Sequence, residues 1–487
     1  MNKELLPYLS SLSDLLTSAA NSSTDNEVAS MHIDLSKRLV DLMFVQNELS
    51  LLLEEKCLIK IPEVVVKLEK VLPKSKNSNS LLRELNDISD LGSENCYEQF
   101  LKCAEKIQRE LIKHKTSNAI NLSKLLLRME TEYSQNFFQA ILDQNNLTPR
   151  NSESSSARNT RAFNKKDLIN FIQKKFPKET NIEIRNTSFV TGGYSKYTVD
   201  ISLDKTLSLP KNIILRGDAG DGFGGMSVVD EYSLINDIFD NGVCAPKPIA
   251  VDKNKKIFGS PFMLMEKMSG ACIGHMFDIP PISSNALVQD IAQKLSTIHL
   301  IPINKLNKSI DGADCSSSDK ALRWISSSEA SWLELNLPSQ VFSAAFEWLR
   351  LNAKIYDNGS RSLVHGDYGI NNLLIKDEKV LGILDWEHAH IGNPAYDLGY
   401  FHPMADKLAS WSVFLDAYED TGAPMPSQDQ IDYSILLGAT RVGVMVCQVR
   451  SAFLKNQETG IAASIGIAGD YYDMAIIRIS NALETVL

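Results

Sequence analysis

Residues 363–398, LVHGDYGINNLLIKDEKVLGILDWEHAHIGNPAYDL, constrain the fold more than any other part of the sequence. Two apolar runs, NLLI and VLGILD, flank the polar turn KDEK, and this pattern is typical of a β-hairpin. A hairpin folds the chain back, so Asp367, Asn372 and Asp385 can face one cavity. The alternative is a surface hairpin with scattered polar groups. A second Asp at the end of an otherwise apolar strand argues against that alternative.

These three residue types suit the transfer of a phosphoryl group. The carboxylate of Asp385 and the amide oxygen of Asn372 are the hard oxygen ligands that Mg²⁺ prefers. A second carboxylate, Asp367, can orient an acceptor hydroxyl and take its proton. The sequence therefore predicts a catalytic residue at Asp367 and a magnesium site at Asn372 and Asp385.

The stretches HGDYGINNLL and ILDWEHAHIGNPAYDLGY together resemble the aminoglycoside phosphotransferase-like family, which includes the choline kinases. They are also similar to the phosphotransferase domains fused to acyl-CoA dehydrogenases in animals. The pattern H-G-D-x-x-x-x-N is that of the kinase catalytic loop, with Gly in place of the usual Arg. The resemblance implies ATP and Mg²⁺ as cofactors. It also implies that His365 and Asp397 give structural support to the loop.

This resemblance implies an α+β fold of the bilobal protein-kinase-like type. A small β-rich N-lobe would precede a larger helical C-lobe, and an all-α bundle would precede both. In the strand IILRGD, Arg216 stands where a kinase-like fold carries its phosphate-pairing Lys, and Glu231 stands where the partner Glu of the following helix belongs. A guanidinium can pair with a carboxylate and a phosphate together. The alternative for Arg216 and Glu231 is an ordinary exposed ion pair.

Two further segments are candidates for nucleotide contacts. The turn VTGGYSKYTV carries Gly192, Gly193 and Ser195, whose backbone could approach a phosphate closely, although a simple Gly-Gly hairpin turn explains it equally well. The segment MLMEKMSG resembles the crossover between kinase lobes. There the backbone groups of Glu266 and Met268 would bind the adenine edge.

The periodicity of apolar residues divides the chain into four parts. Residues 1–145 predict a helical bundle of unassigned role, and residues 146–163 predict a polar linker rich in Ser, Asn and Arg. The kinase-like N-lobe is predicted at 164–268 and the C-lobe, with the catalytic loop, at 269–487. Helical patterns within the bundle occupy residues 5–20, 28–53, 62–72, 79–90, 96–115 and 119–142.

Composition excludes several classes of protein. The net charge of −10 over 487 residues argues against sequence-independent binding of nucleic acid. We find no run of eighteen or more apolar residues and no secretory leader, so we expect no membrane span and a cytoplasmic protein. The seven cysteines form no CxxC pair, which argues against a zinc cage.

The sequence thus favours an ATP- and Mg²⁺-dependent phosphotransferase that acts on a hydroxyl of a small-molecule acceptor. A metabolite such as a hydroxyacyl compound is favoured over an aminoglycoside, because a minimal resistance enzyme has no extra helical domain. The competing hypothesis is a catalytically inactive nucleotide-binding scaffold that acts through its N-terminal helices. These helices could also form a homodimer or bind a partner protein.

Overall fold

The structure, a computed structural model, describes most of the chain beyond residue 51. The described residues are 36, 40, 43, 52–72, 75–90, 96–147, 164–190, 196–218, 225–274, 279, 282–306, 310–454 and 469–487. The helices predicted at 5–20 and over most of 28–53 lie outside these residues, as does most of the predicted linker 146–163.

The strands lie between Glu183 and Gly392, and helices occur before, between and after them. The helices are α1 (Ile61–Val71), α2 (Lys76–Asp90), α3 (Cys96–Lys113), α4 (Ser117–Leu147), α5 (Lys165–Lys175), α6 (Val228–Asp240), α7 (Asn285–His299), α8 (Ser317–Leu335), α9 (Gln340–Asn352), α10 (Ala395–Leu408), α11 (Trp411–Glu419), α12 (Gln428–Leu454) and α13 (Gly469–Val486). The strands are β1 (Glu183–Val190), β2 (Lys196–Asp204), β3 (Asn212–Asp218), β4 (Pro248–Asp252), β5 (Phe262–Glu266), β6 (Ser362–Val364), β7 (Leu373–Lys376), β8 (Lys379–Ile383) and β9 (His390–Gly392).

The fold class is the predicted α+β type, with N-terminal helices, a small sheet and a following helical region. Helices α1 to α4 match the predicted apolar patterns within a few residues, because each buries one apolar face. Leu68, Leu85, Phe100, Ile107 and Leu126 meet in this core and are fully buried.

Contacts divide the chain into two compact units. The first comprises Met1–Ser156, Ala321–Ile355 and Ile435–Leu487, and the second comprises Ala157–Lys320 and Tyr356–Ser434. This division differs from the predicted boundaries, since parts of the predicted C-lobe pack with the N-terminal helices. Apolar periodicity identifies a buried face, but it does not identify which distant helix covers that face.

Within the first unit, the C-terminal helix α13 packs along α4. The hydroxyl of Thr131 donates a hydrogen bond to Ser480 at 2.6 Å, and the ammonium of Lys124 donates to the carbonyl of Glu484 at 2.9 Å. Helix α9 packs on α3 in the same unit. The last helix of the described chain therefore packs on a helix from its N-terminal part.

Within the second unit, five antiparallel strands form a sheet in the order β1-β2-β3-β5-β4. Helix α6 packs against β3, β4 and β5. Its start is capped by Ser227, whose side chain accepts a hydrogen bond from the backbone N–H of Asp230. The sheet and α6 thus fix the positions of Arg216 on β3 and Glu231 on α6.

Two short strand pairs in the second unit shape the segment from residue 362 to residue 392. Strands β7 and β8 form the predicted hairpin, and β6 pairs with β9. The hairpin turn places Asp377 and Glu378 at φ 50° and 57°, the left-handed conformation that a tight two-residue turn requires. Together the pairs bring the loop after β6 beside the turn after β8.

One helix of the described chain meets the length and composition of a membrane span. It is Gln428–Ala452, with a hydropathy of 1.2 and 56% of the window buried inside the structure. A mostly buried core helix passes the same test.

A carboxyl group in the first unit lies at the start of α9. Glu130 on α4 accepts hydrogen bonds from the hydroxyl of Ser339 and from the backbone N–H of Val341, the latter at 3.2 Å. Burial raises the pKa of Glu130 to about 8. Folding therefore keeps a proton on this carboxyl group over a pH range in which the unfolded chain releases it.

We predict that Glu130→Gln removes a pH dependence of stability. The folded state binds more protons than the unfolded state between the ordinary pKa of 4.5 and about 8, so stability falls as pH rises through this window. Relative to the variant, the wild-type free energy of unfolding should fall by about 1 to 3 kcal/mol between about pH 6 and about pH 8. Denaturant titration at both pH values measures this, and two proteins with parallel pH profiles would contradict it.

Candidate active site

The loop that follows β6 is organised by the buried carboxylate of Asp397, in the first turn of α10. One oxygen accepts the backbone N–H of His365 at 2.7 Å, and the other accepts that of Gly366 at 2.9 Å. His299 lies 3.1 Å away through Nε2. Burial alone would raise the pKa of Asp397, but His299 and these N–H groups hold it below its usual value. An ionised Asp397 thus satisfies two loop N–H groups.

His299 was not identified from the sequence as part of this arrangement. Its Nδ1 lies 2.7 Å from the hydroxyl of Tyr418 and its Nε2 faces Asp397. A carboxylate only accepts, so Nε2 carries a proton that it donates to Asp397. The Tyr418 hydroxyl also lies 3.2 Å from the carbonyl oxygen of Pro424, to which it donates. A helix-terminal His was visible in the sequence, but its carboxylate partner lies 98 residues further on.

His365 joins the loop to the end of β8. Its Nε2 lies 3.0 Å from the carbonyl oxygen of Leu384, and its Nδ1 accepts the backbone N–H of Asp367 at 3.2 Å. The ring is buried and packs on Trp386 at a centroid distance of 4.6 Å. These contacts hold the loop after β6 against the residue that precedes Asp385.

Asp367 and Asn372 are in direct contact. The amide Nδ2 of Asn372 donates to the carboxylate Oδ2 of Asp367 and to its carbonyl oxygen, each at 2.9 Å. The backbone N–H of Leu384 donates to the carbonyl of Asn372 at 2.8 Å. Because Leu384 precedes Asp385, this bond places Asp385 beside Asn372 across the strand ends.

Arg216 connects the sheet to Asp385. Its Nη2 donates to Asp385 Oδ1, and its Nε lies 3.3 Å from Oε2 of Glu231. Burial raises the pKa of Glu231 to about 7, against the opposing effect of Arg216. Burial would lower the pKa of Arg216, but Glu231 and Asp385 raise it above its ordinary value. Arg216 is therefore a fixed cation shared between two carboxylates, and it is not an exposed ion pair.

The other residues that the sequence predicts as nucleotide contacts fall into two groups. Gly192, Gly193 and Ser195 lie outside the described residues. In the crossover segment, the backbone N–H of Glu266 donates to the carbonyl of Lys247 at 2.9 Å, which leaves only its carbonyl for a ligand. Met268 makes no backbone hydrogen bond to any residue that the structure describes, so both its N–H and its carbonyl suit an adenine edge.

The sequence did not identify Lys196 as part of this site either. Its side chain is 6% exposed, and its ammonium lies 2.9 Å from Asp218 Oδ1 and 3.4 Å from Glu387 Oε2. It is the first residue of β2 and lies three residues after Gly193 in the sequence. That position was a signal, because a polar residue opening an apolar strand can point toward the interior.

The oxygen donors fit Mg²⁺ bound together with phosphates. Mg²⁺ usually takes one or two protein oxygens and completes its shell with phosphate and water. Since Nδ2 of Asn372 is committed to Asp367, its Oδ1 faces away from that residue, where it also accepts from Asn371 at 3.1 Å. Asp385 offers the oxygen that Arg216 does not bind. Within the described ranges, no group of three His, Cys, Asp or Glu could hold a metal, so phosphate oxygens would be needed.

We predict that Gly366→Ala destabilises the protein more than Gly422→Ala does. Both glycines have positive φ, 81° and 74°, so both variants carry the same backbone strain, about 1 to 2 kcal/mol. A Cβ at Gly366 would lie 2.3 Å from the carbonyl oxygen of His388, whereas a Cβ at Gly422 meets nothing within 4 Å. The excess loss should be at least about 1 kcal/mol by denaturant titration. Equal losses would show that the loop does not need this close approach.

Comparison with known proteins gives partial matches. Residues 229–428 match the family model described as "Phosphotransferase enzyme family". Acyl-CoA dehydrogenase family member 11 from Pongo abelii is 27% identical over 211 residues, which is 41% of this chain and 26% of the relative. The protein of the same name from Rattus norvegicus is 27% identical over 206 residues, 40% of this chain and 26% of the relative. This chain spans about a quarter of the length of these curated relatives.

A crystal structure of an inferred aminoglycoside phosphotransferase from Ralstonia eutropha has the same fold. It gives a TM-score of 0.53 at 17% identity and covers 66% of this chain and 99% of that one. At this identity the likeness concerns the fold alone, and the family match adds support for a kinase-like phosphotransfer activity. Over residues 229–428 the chain therefore matches the phosphotransferase enzyme family, and it resembles aminoglycoside phosphotransferases and part of the acyl-CoA dehydrogenase family member 11 proteins.

Proposed function

We propose that the protein is an ATP- and Mg²⁺-dependent phosphotransferase that transfers the γ-phosphate to a hydroxyl group of a small molecule. The observation that carries this proposal is the contact between Asp367 and Asn372, beside Asp385. A carboxylate fixed by an amide, with a second carboxylate next to it, suits a reaction that needs a proton acceptor and a metal. The family match over residues 229–428 supports the same reaction class.

In this reaction Asp367 orients the acceptor hydroxyl and takes its proton as the oxygen attacks the γ-phosphorus. The bond from that phosphorus to the β,γ-bridging oxygen breaks, and ADP leaves. Asn372 holds Asp367 in place through Nδ2 and, with Asp385, would hold Mg²⁺ through oxygen. Bound Mg²⁺ neutralises charge on the phosphate oxygens. Arg216, oriented by Glu231, clamps the phosphates from the side of the sheet. Positioning and charge neutralisation supply most of the rate in such transfers.

The adenine edge would bind the carbonyl of Glu266 and the backbone groups of Met268. This assignment agrees with the hydrogen bond from the N–H of Glu266 to Lys247, which removes that donor. Backbone groups of this kind bind a flat base edge without side-chain chemistry.

For the acceptor we favour a hydroxyacyl compound or a related metabolite over an aminoglycoside. The support is the name of the curated relatives, which are acyl-CoA dehydrogenase family members. The resemblance to an aminoglycoside phosphotransferase is one of fold at 17% identity, and it carries no information on the acceptor.

We predict that Asp367→Asn lowers acceptor-dependent ATP consumption by about 100-fold or more, because a positioned general base contributes that much. Binding of Mg·ATP should change little, since the amide keeps the shape of the side chain. Purified protein is assayed against a panel of hydroxyacyl compounds, other hydroxylated metabolites and aminoglycosides.

The matched control is Asp377→Asn, an exposed Asp in the turn of the same hairpin, which should keep full activity. Binding of ATP without turnover on the whole panel, unchanged by Asp367→Asn, would instead support a nucleotide-binding scaffold. If the Asp367→Asn variant kept its turnover, Asp367 would not be the general base.

A further inference from the structure

We propose that Asp290 on α7 is a positioning residue, which ties β8 to α7 and so keeps Asp385 beside Asn372. This inference rests on the proposed function, because one of its readouts is the affinity for Mg²⁺-loaded nucleotide. It assigns a role to a buried carboxylate that the reaction described above does not use.

The carboxylate of Asp290 is bound at both of its oxygens by the residues that open β8. Its Oδ2 accepts the backbone N–H of Val380 at 2.8 Å, and its Oδ1 accepts from the ammonium of Lys379 at 2.9 Å. The side chain of Asp290 is 7% exposed, whereas that of Lys379 is 61% exposed. The bond to Val380 is thus the buried part of this contact, and without it a buried backbone N–H would lose its acceptor.

Strand pairing within the hairpin does not by itself fix the position of β8. Val380 pairs with Ile375 and Gly382 pairs with Leu374, so Leu381 is an extra residue on β8. A bulge of this kind interrupts the hydrogen bonds between the two strands. The residues of β8 beyond the bulge therefore depend on contacts outside the hairpin.

The extra residue is what brings Leu384 opposite Asn372. The backbone N–H of Leu384 donates to the carbonyl of Asn372 at 2.8 Å. Pairing that continued regularly from the turn would bring Ile383 opposite Asn372 instead. Asp385 would then lie one residue further along the strand, about 3.3 Å away from its present place. The spacing of the two proposed metal ligands therefore requires the bulge.

Two contacts hold β8, one on each side of the extra residue. The backbone N–H of Ile383 donates to the carbonyl of Cys244 at 2.8 Å on one side, and Asp290 holds Val380 on the other. Helix α7 packs along both β8 and β6, so Asp290 projects from an element that supports the whole segment. Since Cys244 accepts through its backbone, a change of side chain can remove only the Asp290 contact of these two.

The same turn of α7 also holds the loop that carries Asp367. Tyr368 follows Asp367, is fully buried, and donates from its hydroxyl to the carbonyl of Ile291 at 2.8 Å. Ile291 is the residue after Asp290. One surface of α7 therefore supports both the loop of the proposed base and the strand that leads to Asp385.

The test compares Asp290→Ala with Asp290→Asn in the full chain. Dissociation constants for a non-hydrolysable ATP analogue are measured by titration calorimetry, with Mg²⁺ and with EDTA, well below each unfolding midpoint. Asp290→Ala should weaken binding of the Mg²⁺-loaded analogue about 10-fold or more, the usual effect of removing a residue that orients a metal ligand. Its affinity for the metal-free analogue should equal that of the wild type. Asp290→Asn keeps an oxygen for the N–H of Val380, so it should recover most of the lost affinity.

The matched control is Lys379→Met, which removes the ion pair and leaves the bond from Val380 to Asp290. Its affinity for the Mg²⁺-loaded analogue should equal that of the wild type.

Amide hydrogen exchange of the protein without nucleotide gives a second readout. In the wild type the N–H of Val380 should exchange slowly. Asp290→Ala should speed exchange from Val380 to Ile383, whereas Asp290→Asn and Lys379→Met should leave it slow.

Four results would reject the proposal. Rapid exchange at Val380 in the wild type would show that Asp290 does not hold it, and this measurement needs no variant to fold. Unchanged affinity of Asp290→Ala for the Mg²⁺-loaded analogue would exclude a positioning role. An equal loss of affinity with and without Mg²⁺ would reduce Asp290 to a stabilising residue. A Lys379→Met variant as weak as Asp290→Ala would mean that the ion pair matters and the backbone bond does not.

Failure of the proposed function has a different signature. Wild-type protein that binds no Mg²⁺-loaded analogue would contradict the phosphotransferase assignment itself. Slow exchange at Val380 that Asp290→Ala speeds would still support the tie between α7 and β8.

Discussion

The candidate site depends on one buried carboxylate, that of Asp397. It sits in the first turn of a helix, where free N–H groups favour negative charge, and it accepts the N–H groups of His365 and Gly366. Without an acceptor at that point, two buried backbone donors would be unsatisfied. The loop that carries Asp367 therefore takes its shape from a residue about 30 positions later in the chain, and the bracing of His365 against Leu384 follows from that shape.

Local sequence was enough for the hairpin and for the order of helices and sheet, because each rests on the pattern of neighbouring residues. The pairing of Arg216 with Glu231 was expected only from the resemblance to a kinase-like fold. Apolar residues mark β7 and β8, and the polar KDEK turn joins them, whereas the shift of register between Leu374 and Ile375 had no signal in the sequence. The short distance along the chain from β3 to α6 brings Arg216 and Glu231 together. Direct contact between Asp367 and Asn372 likewise reflects a spacing of five residues.

Contacts between distant segments were not accessible in the same way. His299 and Lys196 have ordinary sequence surroundings, and each acquires its partner only when the chain folds. The assignment of 321–355 and 435–487 to the first unit is a similar case. An amphipathic pattern shows that a helix has a buried face. Many apolar surfaces of the same size could cover that face, and the composition of the helix does not show which of them does.

The pairing of α4 with α13 has a consequence for folding during translation. About 320 residues separate the end of one helix from the start of the other. At a translation speed of about 5 to 20 residues per second, α4 waits roughly 15 to 65 seconds for its neighbour. During that interval Lys124 and Thr131 lack their hydrogen-bond partners, because Glu484 and Ser480 lie on α13. The first unit can therefore complete its packing only after α13 has been synthesised.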